Sequence, residues 1–156
     1  MNRIILSKNE RRERFFRYAP LILWIGVIFL FSSNQGSMTK TSSFVRPLLE
    51  FLFPGISEET LTIYHSYIRK TAHFVEYAVL GLWSSRAFWS STIEILRRFW
   101  WLAAFILVFL TASADEYNQS FNPARTSSIY DVFIDLSGGL TMIIFLLLLK
   151  KVFIKS

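Results

Sequence analysis

Arg69, His73 and Glu76 stand at i, i+4 and i+7, a spacing that puts them on one stripe of a helix. Lys70, His73 and Tyr77 form an overlapping stripe, so His73 is common to both. Farther along, Asp115 and Glu116 precede Gln119, and Asp131 and Asp135 are again i and i+4. An imidazole beside a carboxylate is a pair suited to general acid or base work, with Glu76 orienting His73. Lys70 and Arg125 are suited to holding an anionic group such as phosphate or carboxylate. Asp115, Glu116 and Asp135 offer oxygens for a divalent cation or for handling protons. No residue is assigned as a metal ligand, and the sequence names no cofactor. The candidate catalytic set is therefore His73, Glu76, Asp115 and Glu116. The candidate substrate-binding set is Arg69, Lys70, Tyr77, Gln119, Arg125, Asp131 and Asp135.

Each residue also has a structural reading. Ser128 with Asp131 three residues on fits a capping box, so Asp131 has a role as a helix start. Arg69 and Lys70 fit snorkelling anchors, and Asp115 with Glu116 a solvated helix end. A lone histidine on an apolar helix is usually structural. Joint occurrence favours a site over a purely structural ion-pair network.

The elements that must carry these residues are apolar. Of the 156 residues, 53% are hydrophobic and mean hydropathy is +0.38, more apolar surface than a soluble domain of this size can hide. Four segments read as membrane spans: about 18–33, 68–89, 99–114 and 129–149. The expected fold is an all-α integral membrane bundle of about four transmembrane helices, with a basic tail over 1–17, the bundle over 18–149 and a second basic tail over 150–156. After the first span, FSSNQGS lacks a small-x-small cleavage pattern, so that span is read as uncleaved. Phe44 to Phe53, closed by Pro54-Gly55, reads as a short interfacial helix in the first outer loop. Ser57 followed by Glu58 and Glu59 reads as the cap of a helix running on into the second span. Gly81 and the pair Gly138-Gly139 read as places where helices approach closely.

The net charge of +6 lies at the ends of apolar segments, which argues for membrane orientation and against nucleic acid. Arg11, Arg12, Arg14 and Arg17, the pair Arg97-Arg98, and Lys150, Lys151 and Lys155 fall on one side. The positive-inside rule makes that side, with both termini, cytoplasmic. Every candidate site residue then gathers at the opposite leaflet. At about 1.5 Å of rise per residue, Glu76 and Asp135 lie about 10 Å into the bundle. A carboxylate facing lipid there costs up to about 3 kcal/mol, which turns both inward. With no cysteine, disulfides, zinc thiolates and cysteine nucleophiles are excluded.

Two stretches, RKTAHFVEYAVLG at 69–81 and DEYNQSFNPARTSSIYDVFIDLSGG at 115–139, together with FSSNQ at 31–35, resemble the VanZ-like family. The resemblance implies a small multi-pass protein of the bacterial cytoplasmic membrane. The family is named for a member associated with low-level resistance to the glycopeptide teicoplanin. Its polar positions fall on Lys70, His73, Glu76, Tyr77, Asp115, Glu116, Gln119, Arg125 and Asp131. Asp135 departs from the family pattern, where asparagine is frequent, and adds a carboxylate.

Three functions compete. One is an outer-leaflet enzyme acting on a lipid-linked or cell-wall substrate. The second is a non-enzymatic envelope factor that binds a wall precursor, a lipid head group or the antibiotic, or docks a partner protein. The third, a small transporter, lacks a visible inverted repeat. The sequence contains no Gly-x-Ser-x-Gly, no His-Glu-x-x-His and no paired-histidine lipid-phosphatase pattern.

Overall fold

The computed structural model describes residues 8–32, 38–121 and 128–153. Six helices make up almost all of this: α1 Lys8–Ser32, α2 Met38–Leu52, α3 Glu58–Trp89, α4 Glu94–Arg98, α5 Trp100–Ser120 and α6 Ile129–Phe153. The chain is all-α, as expected.

The helices outrun the expected spans because good helix formers flank the apolar segments. α1 begins inside the basic stretch, where Glu10, Arg11, Arg12, Glu13 and Arg14 favour helix and nothing interrupts it. α6 likewise continues through Lys150 and Lys151. The expected boundaries at 17/18 and 149/150 therefore fall inside continuous helices. Ser57 caps α3, its Oγ accepting from the Thr60 amide at 3.2 Å, and the helix then runs unbroken for 32 residues. Gly55, at φ +85°, makes the turn between α2 and α3. Arg46 of α2 pairs with Glu50 at 2.8 Å and with Glu58, which ties α2 to the start of α3. These two carboxylates raise the Arg46 pKa, chiefly through the bond to Glu50. α4, a single turn in the 94–98 linker, was not anticipated.

α3 is the central helix. Its broadest interface is with α6, followed by α5 and α1. The α3–α6 seam is tight because glycines line it: a Cβ on Gly81 would lie 2.7 Å from the Gly139 carbonyl oxygen, and one on Gly138 would strike the carbonyl of Phe74. Tyr77, Leu80, Val108 and Ile143 are fully buried around this seam.

The four long helices alternate in direction, so their ends form two polar layers. At one end Tyr18 and Ser91 hydroxyls bond at 3.1 Å, and the Lys150 ammonium sits 4.3 Å from the Trp89 ring centroid. At the other, Asn118 Nδ2 donates to Ser32 Oγ at 3.2 Å and the candidate site residues assemble.

Between these layers the outer faces are apolar and exposed, with Leu23, Leu30, Ile106, Leu110, Phe133 and Leu148 among them. Two helices, over Asn9–Ser32 and Ile129–Val152, are long and apolar enough to cross a membrane by length and composition. α3 mixes charges among its apolar residues, and α5 carries Asp115 and Glu116 in its last two turns.

Candidate functional site

The site begins at the α3–α6 seam. Because Gly138 has no side chain, the two backbones meet beside Phe74, one residue beyond His73 and three beyond Asp135. That approach places His73 Nδ1 3.2 Å from Asp135 Oδ1. Asp135 is fully buried, whereas His73 is partly exposed. The spacing on α3 had pointed to Glu76 as the residue orienting His73. In the structure the carboxylate bonded to His73 comes instead from α6.

α5 supplies the second wall. It continues beyond Ala114, so Asp115 and Gln119 share a face, and Gln119 Nε2 donates to Asp115 Oδ2 at 3.0 Å. The Tyr77 hydroxyl donates to the same oxygen at 3.2 Å. Arg69 extends the chain of contacts, its guanidinium lying 3.4 Å from Gln119 Oε1. One potential ligand atom each from His73, Asp115 and Asp135 lies within 4.8 Å of the others. Asp115 Oδ1 and Asp135 Oδ2 are buried and have no hydrogen-bond partner among the described residues.

Glu116 has a different position from the one its sequence neighbour suggests. Its Oε1 accepts the Ser128 amide, anchoring the end of the segment that leads into α6. A capping box would need Asp131 to take that amide. Ser128 does cap α6, its Oγ accepting from the Tyr130 amide at 3.2 Å, but Glu116 is the reciprocal partner.

Two cavities flank the Arg69–His73 stripe. The larger, about 660 Å³, lies between α1 and α3. Trp24, Val27, Ile28, Phe31, Ile68, Ala72, Val75 and Val79 form apolar walls, and Arg69, His73, Glu76 and Asp115 supply its polar lining. The smaller, about 400 Å³, lies between α3 and α6 and is lined by Thr62, Ser66, Lys70, Ser128, Tyr130 and Asp131 as well as Arg69 and His73. Apolar walls beside charged groups suit an amphipathic ligand.

The structure thus brings Arg69, His73, Tyr77, Asp115, Gln119 and Asp135 into one connected cluster. Glu76 lies on its α1 side, and Lys70 and Asp131 line the smaller cavity. Arg125 lies outside the described residues. Sequence reasoning missed Trp24, whose Nε1 donates to the Glu76 carbonyl at 2.9 Å, and the Ser32–Asn118 bond. A tryptophan in mid-span and a serine ending the same span were the available signals.

Fold and site define a helical protein with two candidate membrane-spanning helices and a buried histidine–carboxylate cluster at one end of its helix bundle. The family model described as VanZ/LLP1 matches residues 17–150, and the chain belongs to that family. No curated protein and no solved structure matches the chain.

Proposed function

We propose that this is a bacterial cell-envelope membrane protein that binds a lipid-linked substrate with an anionic head group. α1, α3, α5 and α6 cross the cytoplasmic membrane, both termini are cytoplasmic, and the His73 cluster opens outward. The apolar outer face of α5, including Trp101, Ile106, Phe109 and Leu110, supports its membrane placement. The basic ends of α1 and α6 support the orientation. α2 lies along the outer interface.

The observation that carries the reading is the 660 Å³ groove with hydrocarbon walls and Arg69, His73, Glu76 and Asp115 in its lining. Arg69 pairs with the head-group anion. His73, oriented by Asp135, transfers a proton at the head group. Family membership supports a consequence for cells, which is changed susceptibility to teicoplanin.

The test is binding of a polyprenyl phosphate to the purified full chain, followed by native mass spectrometry. The expected result is one saturable site, about tenfold weaker for Arg69→Gln and absent for inorganic phosphate alone. Binding indifferent to Arg69 would contradict the reading. A non-enzymatic binding factor remains the second reading, because the groove by itself holds a ligand without chemistry.

A further inference from the structure

We infer that His73, Asp115 and Asp135 bind one divalent first-row metal ion, of the Mn²⁺ class, through one imidazole nitrogen and two carboxylates. The inference deepens the proposed function and rests on the same cluster, but it makes its own claim.

Ligand atoms about 2.1 Å from a common ion lie about 3.0 Å apart at octahedral right angles and about 3.4 Å apart in a tetrahedron. The His73 Nδ1 to Asp135 Oδ1 separation is 3.2 Å, the edge length of such a shell. The Asp115 ligand atom lies within 4.8 Å of both, so a small shift of the His73 and Asp135 side chains toward it closes the third edge.

Asp115 is 3% exposed and Asp135 0%, yet each keeps a buried oxygen with no partner among the described residues. An acidic cluster alone is common at a helix end. Two desolvated carboxylates with unused oxygens, meeting at an imidazole, are costly unless a proton or a cation neutralises them. The guanidinium of Arg69 bonds to Gln119 rather than to either aspartate.

Tyr77 and Gln119 both donate to Asp115 Oδ2, which fixes the carboxylate and leaves Oδ1 available. Three protein ligands of mixed nitrogen and oxygen type fit Mn²⁺, Zn²⁺ or Fe²⁺ better than the all-oxygen cage of Ca²⁺. Water or a head-group phosphate would reach the ion from the cavities that His73 lines.

The experiment uses the full chain in nanodiscs, stripped with chelator and titrated with Mn²⁺. Loss of the free-ion electron paramagnetic resonance signal should report one saturable site, and pulsed spectra should show nitrogen coupling from an imidazole. Asp115→Asn and Asp135→Asn should each weaken uptake about tenfold or more, and His73→Gln should abolish the nitrogen coupling. Glu50→Gln, on α2, should change nothing. The absence of a saturable site in the wild-type chain, or a bound ion without nitrogen coupling, overturns the inference even if a variant fails to fold. A chain that binds polyprenyl phosphate but not Mn²⁺ refutes the ion alone. A chain that binds Mn²⁺ but not the lipid refutes the lipid reading alone.

Discussion

His73 and Asp135 are held 3.2 Å apart by a backbone contact one turn away, where Gly138 of α6 lies against the carbonyl of Phe74 on α3. Helix packing brings the two backbones close enough for these side chains to meet.

Gly138→Ala should separate the two helices, because the new methyl meets backbone rather than a side chain that can turn away. Overpacking of this kind costs about 1–3 kcal/mol. Thermal unfolding in detergent should show the loss, with lipid-phosphate affinity falling alongside it. Gly26→Ala, which adds a methyl with nothing within 4 Å, is the matched control and should be neutral or slightly stabilising.

Ala72→Trp should fill the groove between α1 and α3. Polyprenyl phosphate binding should weaken by about tenfold or more, the loss of well over a kilocalorie per mole of chain contact. Val152→Trp, at an exposed position far from the groove, should bind as the parent does. Equal affinity in the two variants would place the hydrocarbon chain elsewhere.

Glu116→Ala should act on the start of α6 and leave the His73–Asp135 contact in place. The Ser128 amide would lose its acceptor, at a cost of about 1–2 kcal/mol. Hydrogen exchange should quicken at Ser128 and its neighbours. Unchanged exchange there would show that the contact contributes nothing to the order of that segment.

His73→Gln separates chemistry from binding. If His73 transfers a proton, turnover of the lipid-linked substrate should fall by about 10²–10⁴-fold, while binding of polyprenyl phosphate changes little. A variant that keeps its full effect on teicoplanin susceptibility in cells would favour the non-enzymatic reading.

The sequence made the elements legible where periodicity and capping agree. Ser57 with Glu58 and Glu59 marked the start of α3, and Gly81, Gly138 and Gly139 marked its close contact with α6. Helix ends were less legible, because Arg, Glu and Lys extend α1 and α6 as readily as they would form a tail. For the site, the cost of a carboxylate facing lipid turned Glu76 and Asp135 inward, and the i, i+4, i+7 spacing put His73 on the same stripe as Glu76. Spacing along one helix cannot report a partner on another. That is why Glu76 stood where Asp135 belongs, and why Glu116 was read beside Asp115 rather than as the acceptor for Ser128. Such partners depend on how the helices pack against one another, which for α3 and α6 includes the close approach at Gly81, Gly138 and Gly139.

Because the chain contains no cysteine, single cysteines can be introduced against a silent background. Ser66 lines the cavity beside His73, and Thr92 is exposed at the opposite end of the bundle. In intact cells a membrane-impermeant maleimide should label Ser66→Cys, and it should reach Thr92→Cys only after the membrane is opened. The reverse pattern, or labelling of both from outside, would contradict an outward-facing site in a four-span protein.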